Sequence, residues 1–374
     1  MIKRFIGIPS TSQSAASTSP GAYTAQVENY FMRNYMAHVI EGGLYLGGLT
    51  FLNAHTVLPA MVQRLGGPSW LVALMPMMMI LGFVGPQLLT AHRVERLFRV
   101  KPFILLTGIF QRLPFLLAGL GLLLWAEEHP GLVLFLVATA PLISGMSGGL
   151  SFSAWLELTA NVIPEHRRAS LWASRSIITA GIGICAGPVI RAVLESHPGT
   201  TGYGLLYLIA MTFLVLSYIT FTAIRETRPP PRDPPQERSL RANLQSLPGM
   251  VKADRQFRSF MLVRVFHAGV HVMMPFLTIY ALRTLDKAES YLGYLVTAQM
   301  IGALTGNFVS GWLGDRRGGK IVLVASQVLM AATGGLVALS SSERGLVGAF
   351  FLLGMALNAG KVGLSTLSIE ICTS

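Results

Sequence analysis

The chain alternates between long apolar runs and short polar breaks. Runs of about twenty mostly apolar residues, the length a helix needs to cross a bilayer core, recur near 37–60, 69–91, 102–125, 131–160, 169–194, 202–224, 259–283, 290–312, 321–340 and 345–368. The strands of a membrane β-barrel would instead alternate with period two over segments of about ten residues. The pattern therefore predicts an all-α polytopic membrane protein with ten spans. The longest polar stretch, residues 225–258, divides them six and four. It opens on Arg225-Glu-Thr-Arg-Pro-Pro-Pro-Arg-Asp, an extended and stiff sequence, and continues with Leu240, Leu244, Leu247 and Val251 at helical spacing. The expected organisation is a cytoplasmic N-terminal segment over 1–36, a six-helix bundle over 37–224, a Pro/Arg-rich cytoplasmic linker over 225–258 and a four-helix bundle over 259–374.

Composition agrees with the pattern. Of 374 residues, 52% are hydrophobic and only 12% charged, against about 25% charged in a soluble domain; the mean hydropathy is +0.55. The net charge of +12 raises the question of a nucleic-acid partner, and its distribution answers it. Of the 29 Lys and Arg residues, 20 fall in polar segments on the side of the N-terminus and 5 on the other side. Basic loops stay in the cytoplasm, so the expected topology is multi-pass in the cell (inner or plasma) membrane with the N-terminus inside. The basic excess is topological, and no nucleic-acid partner is expected. Cys185 and Cys372 form neither a disulfide framework nor a metal spacing, and no cofactor is implied. Residues 1–20 lack the apolar core of a secretory signal, which leaves insertion to the first span.

The most informative polar break is Gly311-Trp-Leu-Gly-Asp-Arg-Arg-Gly-Gly-Lys320. Two flanking glycines and three basic residues around one aspartate belong in water, where one helix hands over to the next. Asp315 and Arg316 are placed to pair locally, and Gly311 and Gly318 allow a tight turn. The segment resembles the signature loop of the major facilitator superfamily, roughly G-x-L-x-D-R-x-G-R-K, with Gly311, Leu313, Asp315, Arg316, Gly318 and Lys320 matching and Gly319 standing where a basic residue is usual. Residues His92–Lys101 occupy the equivalent place in the first half, with Glu95 and Arg96 at the Asp-Arg positions. The resemblance implies two bundles, a central cavity lined by the first, fourth, seventh and tenth spans, and a signature loop that packs on the other half to hold one state of the transport cycle. The family carries six and six helices; the six and four seen here imply either that the last two are missing from this chain or that the protein has ten.

Charges inside spans are costly and are candidates for function. Glu41 lies in the first span, Arg112 in the third, Glu157 in the fourth, Arg175 in the fifth, Arg264 in the seventh and Lys361 in the tenth. Glu157 and Arg175 flank the turn near Glu165 at similar depth, which suits an ion pair, either structural or broken during cycling. Glu41, beside Gly42 and Gly43, is the candidate proton-coupling carboxylate. Asn53, His55 and Thr56 add polar groups further along. Arg264, His267 and His271 are spaced i, i+3, i+7 on one helical face, and Asn358 lies one turn from Lys361. Gly183-Ile-Cys-Ala-Gly187-Pro188 is similar to the core of the family's antiporter motif, but Arg191 and Ala192 replace its trailing glycines.

The function expected is secondary active transport of a small solute by alternating access, with protons as the coupling ion and the lipid bilayer as the other partner. No G-x-x-x-x-G-K-[ST] loop points to a primary pump, and no H-E-x-x-H or G-x-S-x-G points to a membrane enzyme. A non-transporting or truncated relative of the family is the alternative.

Overall fold

The computed structural model describes residues 20–94, 99–227, 249, 255–340 and 342–373. Eleven α-helices are described, α1 (Pro20–Leu49), α2 (Val57–Arg64), α3 (Ser69–Val94), α4 (Lys101–Leu124), α5 (Pro130–Val162), α6 (Glu165–Ser196), α7 (Thr200–Thr222), α8 (Arg255–Thr284), α9 (Leu292–Arg317), α10 (Gly319–Leu339) and α11 (Glu343–Thr373). Nine of these, α3 to α11, contain a segment long and apolar enough to cross a membrane. The protein is an all-α, multi-pass membrane protein of two bundles. Glu95, Arg96 and most of the 225–258 linker lie outside the described residues.

The first span differs most from expectation. It is a 30-residue helix starting at Pro20, followed by a single 3-10 turn at Thr50–Leu52, a break, and the short α2. Hydropathy places its start near residue 37 because Glu28, Arg33, Asn34 and His38 are polar. The tertiary structure satisfies several of them. The Asn34 side-chain amide donates to the Arg225 carbonyl at 3.0 Å and accepts from the Arg225 N–H at 2.8 Å, while Arg33 donates to the Ala223 carbonyl at 2.8 Å. α1 packs against α6 and α7, so Asn34 and His38 are buried against protein rather than facing lipid. The break after α1 is non-helical at Asn53 and Thr56.

The same packing device recurs in both halves. In the first, a Cβ at Gly145 or Gly149 of α5 would overlap the carbonyls of Met79 and Phe83 on α3. In the second, a Cβ at Gly302 of α9 would overlap the Phe351 carbonyl of α11, and one at Gly354 of α11 would overlap the Gln299 carbonyl. Without a hydrophobic drive between helices in lipid, backbone approach over small residues is what holds them. Interior prolines such as Pro76, Pro141 and Pro275 are tolerated because neighbouring helices re-satisfy the backbone.

Among the described residues, the buried apolar core joins the two halves at one end. There, one continuous buried apolar cluster includes Phe51, Val57 and Met61 of the first half with Leu277, Leu292 and Leu295 of the second. Toward the other end the buried cluster of Ala37, Ile104, Leu158, Leu171 and Phe221 belongs to the first half alone.

Candidate functional site

At the closed end, side chains of the two halves meet directly. The Asn53 amide donates to Gln299 Oε1 of α9 at 3.0 Å, and the Thr278 hydroxyl of α8 donates to the His55 carbonyl at 2.9 Å. Arg64 pairs with Glu289 at 3.0 Å. Gly187 of α6 and Gly293 of α9 touch backbone to backbone; a Cβ at either would overlap the other's carbonyl. The Gly183–Pro188 segment thus packs α6 against α9. Arg191, where the motif would have glycine, lays its guanidinium over the Tyr294 ring at 4.8 Å and donates to the Tyr294 hydroxyl. One turn before Gly187, Gly183 sits on Met300 of α9.

Beneath this seal lies a polar cluster drawn from both halves. His55 stacks on His271 with ring centroids 5.5 Å apart, and His271 meets His267 edge-on at 5.8 Å. The Gln327 amide of α10 contacts His267 Nδ1 at 2.8 Å. The Nδ1 atoms of His55 and His271 are buried without a hydrogen-bond partner. Gly360 of α11 sits against the His267 ring, and the next residue, Lys361, is exposed yet near enough for its charge to act on both His55 and His271. Asn358, one turn earlier, donates to the Gly354 carbonyl at 3.1 Å. Among the described residues no group of three or more His, Cys, Asp or Glu is placed to hold a metal ion.

The other in-span charges are arranged differently from the sequence expectation. Arg175 turns to Glu41 of α1 rather than to Glu157: its Nη1 donates to Glu41 Oε2 and to the His38 carbonyl, both at 2.9 Å. Its guanidinium lies over Trp155 at 5.1 Å and Trp172 at 5.5 Å. Sequence reasoning could not find this pair, because 134 residues separate its members. Glu157 is half-buried near the C-terminus of α5 and has a contact of its own. Arg112 is a strut between α4 and α7, donating to the Leu214 and Gly108 carbonyls at 2.8 and 2.9 Å and to the Ser217 hydroxyl at 3.2 Å. Tyr45 and Tyr218 also lie against it, so three of its five N–H groups and its faces are committed to α4, α7 and α1. Arg264 is exposed on α8, over the Phe260 ring at 5.6 Å.

The signature segment is less a loop than a corner. α9 runs through Gly311 to Arg317, and a single residue, Gly318, makes the turn in the left-handed region at φ 79° before α10 begins. Gly319 is where α10 touches α11: a Cβ there would crowd Leu367 and Thr366. That contact explains a small residue at the position where a basic one is usual. The expected Asp315–Arg316 pair does not form. Arg316 lies over Trp312 at 4.3 Å, Lys320 is exposed, and Asp315 is exposed with no ion pair among the described residues.

The sequence model of the Major Facilitator Superfamily matches residues 260–373. No curated protein matches the chain. Among solved structures, the fold is similar to that of a mutant form of the nucleoside transporter NupG, at 12% identity over 92% of this chain and 82% of that one, with a TM-score of 0.65. It is also similar to a D-xylose-proton symporter at 15% identity, 91% and 86% coverage and a TM-score of 0.58. A bacterial homologue of the human lysosomal transporter Spinster, inward-facing and unoccupied, aligns at 16% identity, 94% and 76% coverage and a TM-score of 0.54. At these identities the likeness is one of fold. The second half, residues 260–373, thus matches the sequence model of the Major Facilitator Superfamily, and over the whole chain the two-bundle fold is similar to that of these solved transporters.

Proposed function

We propose that the protein moves a small solute across the cell membrane by alternating access, coupled to protons through Glu41. The carrying observation is the one-sided closure: polar residues of both halves meet under a seal, while the apolar core of the opposite end stops at the first half. With the N-terminus inside, as the basic loops direct, the seal is on the outer side and the polar cluster faces the cytoplasm. Glu41 and Arg175 form a buried pair between α1 and α6, 8% and 7% exposed. Protonating the carboxylate cancels its charge and releases Arg175, which gives the two helices a switch between two arrangements.

The test uses purified full-length protein in proteoliposomes, offered a defined mixture of carboxylates, sugar phosphates, free sugars, nucleosides and amines. At least one solute is expected to exchange across the membrane and to accumulate under an imposed pH gradient. Glu41→Gln keeps an acceptor for Arg175 but cannot carry a proton, so exchange should survive and gradient-driven accumulation should fall to the level without a gradient. Accumulation that persists in this variant assigns coupling to another group; no exchange by the native chain supports the non-transporting alternative.

Asp315 tests the conformational side of the reading. An exposed ion contributes about 0–1 kcal/mol to stability, so Asp315→Asn should leave the unfolding temperature unchanged. If the corner docks on the first half in the opposite state, a loss of about 1.4 kcal/mol there changes the ratio of states tenfold. Exchange is expected to drop strongly at normal membrane expression, and unaltered exchange reduces the corner to a connector.

A further inference from the structure

The fold sorts the interior charges into used and unused. Glu41 and Arg175 neutralise one another. Arg112 is spent on carbonyls, a hydroxyl and two tyrosine rings. Lys361 is different. It lies 18 residues into α11, inside a membrane-crossing segment and six residues from its end at Leu367, and is exposed. It forms no ion pair among the described residues. No carboxylate acts on it, whereas its own charge reaches His55 and His271. An unpaired cation costs up to about 2.5–3.5 kcal/mol on insertion scales, the value at the centre of a spanning helix, and a counter-charge or water must offset that. The chain neighbour of Lys361, Gly360, lies against the His267 ring, and His271, which meets that ring edge-on, and His55, stacked on His271, carry the two buried imidazole nitrogens that lack partners.

We propose that the solute is a small organic anion, and that Lys361 of α11, with His55 and His271 at its side, binds its carboxylate or phosphate group. The proposal rests on the transport reading above and adds the substrate class and the residues that select it. Lysine acts as a point charge on such groups, and the imidazoles supply the short-range hydrogen bonds that fix orientation. The seal formed by Asn53, Gln299, Thr278 and the His55 carbonyl closes directly over this position, so a bound anion would be held between the halves.

The defined mixture decides the question in the same proteoliposomes. Carboxylates or sugar phosphates should be the members that exchange, and which of the two exchanges separates the two headgroups. Lys361→Gln should weaken half-saturation for that solute by roughly 10- to 100-fold, the cost of a charged hydrogen bond. Lys361→Arg, which restores the charge, should recover most of it, and both variants should elute as the native protein does. Exchange of neutral or cationic members alone overturns the inference while leaving transport intact. So does anion exchange that Lys361→Gln does not weaken. Exchange of nothing overturns the transport reading and this inference with it.

Discussion

Arg175→Gln is expected to be the most destabilising single change in the first half, at about 3–5 kcal/mol, the usual cost of removing one partner of a buried ion pair. It would leave the Glu41 carboxylate 8% exposed and without its cation. Part of the loss is packing, since the guanidinium also covers Trp155 and Trp172 and a shorter side chain cannot do so. The two causes separate in a double-mutant cycle. Glu41→Gln added to Arg175→Gln removes the orphaned charge, so the double variant should unfold in detergent at a higher denaturant concentration than Arg175→Gln alone. Equal midpoints for the two would show that packing on the tryptophans, and not charge, is what the pair contributes.

The second large effect is expected at the seal. Gly187→Leu places a branched side chain where the Gly293 carbonyl and the Thr297 hydroxyl of α9 now lie. Helices cannot absorb that volume without separating, and separation at this point breaks the closed end. The state shown here should become rare, with exchange reduced about tenfold for each 1.4 kcal/mol of lost closure. A cysteine at Asn53, buried under the seal at 7% exposure, should become reachable from outside in cells carrying Gly187→Leu in a background without Cys185 and Cys372. Normal exchange together with an unreactive cysteine would mean that α6 and α9 do not gate the site.

Hydropathy alone was enough to identify nine membrane helices and to place their bounds within a few residues, because a bilayer imposes one length on every helix that crosses it. It failed at α1, where Asn34, His38 and Glu41 lower the local average. Asn34 and Glu41 are satisfied by Arg225 and Arg175, and partners from distant sequence are invisible to a local average. The corner at 311–320 was legible as a turn from its glycines and charges, but its true extent, one residue at Gly318, depended on α9 continuing into water as a helix.

The site followed the same division. That Lys361, His267, His271 and Glu41 are unusual is a matter of composition: polar groups inside apolar runs stand out by their cost. Which of them are available is a matter of pairing, and pairing is tertiary. Periodicity set Glu157 and Arg175 at equal depth on neighbouring helices, yet rotation about the helix axes turns Arg175 to Glu41. Periodicity likewise placed Arg264, His267 and His271 on one face, but only the packing of α8 against the Asn53–Thr56 break brings His55 onto His271. The sequence by itself thus determined a membrane-spanning helical chain, its charged glycine-rich corner and its candidate charges, since these depend on the solvent each residue meets. Only the tertiary structure decided which charges cancel, which are struts and which stand open, because that depends on directions between helices that no spacing along one chain encodes.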